Sequence, residues 1–514
     1  MSNRRRFSSL LATVISLALL SFSAAACATD TSPAPVTAPA VSNSAPTAAP
    51  VAANSIPATG PVVGDSTPAA TPIVGDSVGS IVDGSTLAAG VTAAGPVAAD
   101  AVMAHIGQTY NLATTVSFGA GKVSVSETVT LTNNSTRSIN QLNFSVLPRA
   151  VSGVFSQVGA VSLDGKAATT AWTNHTNLAI ILSPSLAPGK TAVVKIGFSL
   201  DLNTVTGSFG TRFSKTGGIL NLGNWFPLLS RAHDAYGIGD PQVSWAADMI
   251  TLDLRTVENL STSAIAAAGT LISSGPRHWV YQLAHARDYS LAISPSYYHL
   301  TTTVSGITLD TYTVKASGST VLAAMKAATV KYLSWYGPMA YSRFVIAETG
   351  TSNFAQESPG LILGSADLIG SSYYGQYTIW HETAHQWWYN QVGDDQMASP
   401  WVDEGFAEFS ARLGLGMSLS SCSTVNVDSS VFAWPGGLTT GSWSGCNGYF
   451  ETVYHRSGTF LNALRLQMGN ARFFGTLRTF QAAHKYGLVS SATLLNALVA
   501  GGASTSLIAQ YTSR

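Results

Sequence analysis

Charged side chains are scarce in this sequence. Asp, Glu, Lys and Arg make up 10% of its 514 residues, and 26 acidic groups balance 26 basic ones to a formal net charge of zero. A nucleic-acid partner needs a basic surface to meet phosphate, so the balance argues against that class of function. Long apolar runs are missing once the N-terminus is passed, which argues against an internal membrane span. Cysteine occurs only three times. What is plentiful is apolar material, 46% of the chain, enough to bury a large core. At this length two or more domains are expected.

The N-terminus reads as an address. Arg4, Arg5 and Arg6 form a basic start, an apolar stretch follows over 10–20, and the small residues Ala24, Ala25 and Ala26 precede Cys27. This pattern is an export signal over 1–26. Arg4-Arg5-Arg6-Phe7 also resembles a twin-arginine signal. The Ala-Ala-Ala-Cys junction resembles a bacterial lipobox, with Ala24 where leucine is usual. It implies that Cys27 carries the lipid and holds the protein at the cell envelope, at the outer face of a membrane. Ordinary cleavage after Ala26 would make it secreted instead. With Cys27 lipidated, Cys422 and Cys446 remain as a pair in an oxidising compartment, and a disulfide between them is expected. Residues 27–104 are Ala, Pro, Thr, Ser, Val and Gly with few bulky side chains, the composition of a disordered tether.

From about 105 the pattern becomes period two. Val123, Val125 and Leu131 form one run, Leu142, Phe144 and Val146 another, then Leu178, Ile180 and Leu182, then Val194, Ile196 and Phe198. Turn signals such as Asn133-Asn134-Ser135 and Ala187-Pro188-Gly189-Lys190 separate them. An antiparallel β-rich domain over 105–317 is expected. The period then changes. Leu322, Met325, Val330, Leu333 and Tyr336 suit an amphipathic helix stopped by Gly337-Pro338. Phe344, Val345 and Ile346 read as a buried strand, and an α/β or mainly helical domain is expected over 318–514, making the whole a multidomain α+β fold.

The chemistry concentrates between 380 and 410. His381, Glu382 and His385 stand in the spacing H-E-x-x-H, and WVDEGFAEF follows. Residues four apart share a helix face, so both imidazoles can meet one ion. Imidazole donors suit Zn²⁺, and three protein ligands plus water make a catalytic rather than a structural site. The metal lowers the pKa of its water towards ~7, and Glu382 is placed to take the proton. The third ligand should come from the next helix. Glu404 is the natural choice, with Asp403 and Glu408 as competitors better suited to solvated or supporting roles.

These residues carry a resemblance. H-E-x-x-H followed by Glu404 within W-x-x-E-G-F-A is similar to the M1 family of zinc aminopeptidases, the gluzincins. The resemblance covers roughly 105 to the end and implies one Zn²⁺ per chain on His381, His385 and Glu404, in a thermolysin-like catalytic domain. The family's Gly-Ala-Met-Glu-Asn motif binds the substrate's free α-amine through its glutamate. Here Ala355-Gln356-Glu357-Ser358 keeps the alanine and the glutamate, so Ala355, Gln356 and Glu357 are implied to bind substrate. The family's oxyanion-stabilising tyrosine opens a helix in a Tyr-x-Lys/Arg-Gly-Ala pattern. Tyr454-His455-Arg456-Ser457-Gly458 matches, with Tyr449 as a nearby rival. Asn224-Trp225-Phe226-Pro227 and Arg287-Asp288-Tyr289 resemble the family's N-terminal β domain. The chain ends soon after Tyr454, so a short bacterial form without the large C-terminal helical domain is expected, with a more open cleft.

The implied function is a zinc metallopeptidase that removes N-terminal residues from peptides. Two alternatives stand beside it. One is an endopeptidase with the same chemistry. The other is a surface binding lipoprotein that keeps the metal fold without turnover.

Overall fold

The computed structural model describes residues 106–512 apart from 151–154, 157, 174, 204–210, 231–244, 371–373 and 431–444. The expected export signal, Cys27 and the tether lie outside the described residues. Among these residues no helix is long and apolar enough to cross a membrane.

Period-two runs form strands because alternate side chains face opposite sides of a pleated sheet. In Lys122–Asn133, Val123, Val125, Val129 and Leu131 enter the core while Ser124 and Ser126 face solvent. This strand lies antiparallel between Ile106–Ser117 and Thr191–Asp201 in a nine-stranded sheet. The pairs of this sheet are antiparallel as expected except one, in which Ile106–Ser117 runs parallel to Ala247–Thr256. A parallel pair needs a long connection, and the chain between these strands supplies it by building other strands on the way. Two four-stranded sheets complete this region.

The expected boundary at 317/318 is straddled by a sheet. Tyr298–Val304 and Ile307–Thr313 join Arg343–Thr349, Leu361–Ser365 and Ala355–Ser358 in five strands, with Ile307–Thr313 parallel to Arg343–Thr349. The two faces of this sheet serve two cores. Val345, Ala347, Leu361 and Leu363 pack with the β region, and Phe344, Ile346 and Ile362 pack with the helices. A strand buried on both faces reads as continuously apolar. That is why it carries no sign of which region it belongs to.

Helix Gly318–Tyr336 covers the helical face, in part with the surface expected. Val321, Met325, Ala328, Tyr332 and Tyr336 are buried, whereas Val330 is half exposed to solvent. Met325 and Tyr336 are buried as expected, and Val321, Ala324, Ala328 and Tyr332 complete the inner face at helical spacing. Tyr332 donates to the carbonyl of Trp380 at 3.0 Å, and its ring meets Trp380 and Trp387 edge-on. The long helix thus backs the helix that bears the histidines.

Arg287 ties the β region to the helical one. It is wholly buried, donating from Nε to the Tyr389 carbonyl at 2.8 Å and from Nη2 to the Gly487 carbonyl at 2.6 Å. Cys422 and Cys446 form a disulfide, with Cα atoms 5.3 Å apart.

Candidate metal centre and active site

Helix Tyr374–Ala384 carries His381 and Glu382, and His385 follows its last residue. Glu404 opens helix Glu404–Leu415. The two helices bring three donors to one point. Glu404 Oε2 lies 3.1 Å from His381 Nε2 and 3.6 Å from His385 Nε2. One ligand atom from each of the three residues falls within a span of 4.8 Å. A second donor set, Glu357, Glu382 and His385, meets the same limit and shares His385.

Both acidic competitors for the third ligand are fully buried, which removes the solvated alternative and leaves the supporting one. Asp403 sets its Oδ1 against His385 Nδ1, which also lies 3.1 Å from the Trp388 carbonyl. Gln396 Nε2 donates to the other oxygen of Asp403. A hydrogen bond on Nδ1 fixes which ring nitrogen is left for a metal, and here it leaves Nε2. Glu408 points the other way, accepting from Tyr377 and pairing with Arg412.

The donor set fits Zn²⁺: two imidazole nitrogens and one carboxylate oxygen converge, with a carboxylate behind one imidazole. Burial works against the Glu404 carboxylate, yet hydrogen bonds to His381 and His385 hold it well below the ordinary range. Burial pushes Glu382 well above it, and neighbouring Glu357 adds to the rise. Glu357 is pushed up to about 8, first by burial, against the lowering effect of His385. Burial pulls the His385 imidazolium down, but Asp403 outweighs it and the group ends well above its usual value. A dense group of buried carboxylates with too few cations suits a site built for a dication.

The residues singled out in the sequence are brought together with one exception. Ala355, Glu357, His381, Glu382, His385, Glu404 and Tyr454 all line one cleft. Gln356 is the correction. Neighbouring residues of strand Ala355–Ser358 face opposite sides, so Gln356 points into the β region, where its Nε2 donates to Asn224 Oδ1. Arg212 donates to the same oxygen, and its positive charge is felt at Glu357. Arg212 gave no signal in the sequence. Tyr377 did, lying one helical turn before His381. It lines the cleft with its ring centroid 5.8 Å from that of His381.

Tyr454 sits on a π-helical turn, Glu451–Arg456, that leads into helix Ser457–Met468. Its ring stacks between Phe450, 4.5 Å away, and His381, 5.7 Å away, and its hydroxyl reaches the Glu404 carboxylate. The rival Tyr449, its ring 6.3 Å from that of Tyr454, is not among the residues that line the cleft. Gly405 makes this approach possible. A Cβ there would lie 2.6 Å from Ser457 Cβ and 3.3 Å from the Val453 carbonyl oxygen.

The β region followed by a helical part is the fold of the two-domain M1 zinc metallopeptidases. An M1 zinc metallopeptidase from Deinococcus radiodurans matches with a TM-score of 0.58 at 16% identity, over 79% of this chain and 92% of that one. A mutant form of that enzyme bound to a Tyr-Ser-Ala substrate matches with a TM-score of 0.58 at 17% identity, over 80% and 95%. A two-domain mutant form bound to L-tryptophan gives 0.57 at 16% identity, over 79% and 93%. No protein-family model and no curated protein matches the sequence.

Proposed function

We propose that this chain is a zinc metallopeptidase of the M1 type that removes N-terminal residues from peptides. The observation that carries the reading is the convergence of His381, His385 and Glu404 within 4.8 Å, with Glu382 and Tyr454 on the walls of the same cleft. Zn²⁺ held by those three residues, one per chain, would supply Lewis-acid polarisation of the scissile carbonyl and a more acidic water. Glu382 takes a proton from the attacking water and returns it to the leaving amine. Its place on the cleft wall, next in the chain to His381, suits a group that passes a proton from water to the leaving amine. Tyr454 donates its phenolic hydrogen to the developing oxyanion. Glu357 pairs with the substrate's α-ammonium, and Ala355 beside it leaves room for the peptide.

Similar structures carry an amino acid or a tripeptide substrate, which supports peptides as the substrate class. The thermolysin-like character of the helical part, an exported lipoprotein anchored at Cys27 and a tether over 27–104 belong to the same reading. The alternative is an endopeptidase with the same chemistry, in which Glu357 meets no free α-amine.

Hydrolysis of an aminoacyl-arylamide and of its N-acetylated form separates the two. The aminopeptidase reading expects the acetylated form to react at least about tenfold more slowly, the loss of one charge-assisted contact. Equal rates would assign the endopeptidase. Glu382→Gln should keep zinc and lower kcat by about 10²-fold or more. Zinc-loaded wild type that cleaves no peptide would leave only a binding module.

A further inference from the structure

The disulfide and the turn bearing Tyr454 are joined by contacts that the metal chemistry does not require. The Cys422 amide donates to Glu451 Oε1 at 2.9 Å. Ser421 Oγ donates to the same oxygen at 2.7 Å and lies 3.3 Å from the Glu451 carbonyl oxygen. The Ser423 and Thr452 hydroxyls share a hydrogen bond at 2.8 Å, and Arg456 Nη1 donates to the Ser423 carbonyl. Beside the other half-cystine, Asn447 Oδ1 accepts from the Thr424 amide at 3.1 Å. Residues 421–424 therefore grip Glu451, Thr452 and Arg456, and Tyr454 lies between the gripped positions.

The line continues past the turn. Glu451 Oε2 meets His455 Nδ1 at 2.7 Å, and His455 Nε2 lies 2.9 Å from Arg412 Nη2. Arg412 and Tyr377 both reach Glu408, and Tyr377 lines the cleft. The grip falls on an irregular element. π-helical turns are rare and are frequent at functional sites. Residues 421–424 hold this one from outside through the hydrogen bonds just described.

We propose that the Cys422–Cys446 disulfide is a positioning device for Tyr454. By closing 421–424 onto the turn it holds the phenol where the oxyanion forms, and reduction of the bond lowers turnover. The proposal rests on the reading of Tyr454 as oxyanion donor. Reduction by a water-soluble trialkylphosphine gives the cleanest probe, since a dithiol would compete for zinc. The phosphorus attacks one sulfur and the S–S bond breaks, releasing the first thiol. Water then displaces the second thiol from phosphorus, leaving two cysteine thiols and the phosphine oxide.

The test uses the full zinc-loaded chain and an aminoacyl-arylamide. Phosphine-treated wild type and the double variant Cys422→Ser, Cys446→Ser should each lose kcat on the order of tenfold, the scale expected for a displaced catalytic group. KM should stay within about twofold and zinc content should not change, the pattern of an interaction made in the transition state. Reoxidation of the treated wild type should restore kcat, which separates the effect from misfolding. In a Tyr454→Phe background neither treatment should have a further effect, because the disulfide acts through the phenol. Unchanged kcat on reduction, or an equal loss in the Tyr454→Phe background, would overturn the proposal. A Tyr454→Phe enzyme with full kcat is a different failure, that of the oxyanion reading itself.

Discussion

Glu127 is a carboxylic acid in the wrong place for stability, and replacing it with methionine should make the protein more stable. It lies at the centre of strand Lys122–Asn133 on the face that carries Val125 and Val129. Leu112 stands opposite on one neighbouring strand and Ile196 on the other. The side chain is 0% exposed, and neither carboxylate oxygen has a hydrogen-bond partner among the described residues. The nearby phenol of Tyr110 has one proton and gives it to Gln108 Oε1. Burial accordingly raises the pKa of Glu127 well above its ordinary value.

The sign follows from linkage. Below the unfolded pKa of about 4.3, Glu127 is protonated in both states, and the cost is that of an unpaired buried polar group, about 1–3 kcal/mol. As the pH rises past that value the unfolded chain releases its proton first. Stability then falls by up to about 1.4 kcal/mol per pH unit until the folded pKa is reached. Methionine is unbranched and of similar length, so Glu127→Met removes both costs without overfilling the core. Thermal unfolding should show a higher Tm for the variant, by about 2–4 °C for each kcal/mol in a domain of 150–250 residues. The difference should be larger at pH 7 than at pH 4. A variant that is destabilised, or a gain that does not grow with pH, would refute the reasoning.

Two further outcomes concern the centre. Asp403→Asn keeps the shape of the group behind His385 but removes its charge, so zinc affinity measured by chelator competition should fall by about 10–100-fold, with the fold retained. Gly405→Ala would gain about 1 kcal/mol from helix propensity in open space. Here the added Cβ meets Ser457 Cβ at 2.6 Å, so the clash should win, with a net loss of about 1–3 kcal/mol and weaker zinc binding. Unchanged Tm and zinc affinity in that variant would mean the two helices are not as tightly apposed as described.

Much of the site was legible because helical spacing is a local property. His381 and His385 share a face whatever surrounds them, and Glu404 opens the next helix of any length. Glu357 and Tyr454 were reached only through resemblance, since nothing near them in the chain points to a cleft. Gln356 stands in the same motif yet faces Asn224, because a strand turns alternate residues to opposite sides. Helix Gly318–Tyr336 and part of its buried face, Met325 and Tyr336, are legible in the sequence, whereas Val330 turns to solvent. The rest of its inner surface includes Ala324, Ala328 and Tyr332, which carry weak apolar signals. Tyr298–Val304 and Ile307–Thr313 looked like the end of the β domain, and only pairing shows that they start the next sheet.

The sequence alone determined which side chains could hold a metal, because their spacing is set by the pitch of a helix. Tertiary structure decided that they converge. Glu404 Oε2 stands between two imidazoles only because Gly405 lets its helix close on the Tyr454 turn. It also decided that Asp403 steadies a histidine, that Arg212 lies near Glu357, and that residues 421–424 brace the turn. These are contacts between segments far apart in the chain. Short-range periodicity carries no record of them, because each depends on how two surfaces pack and not on the residues beside it.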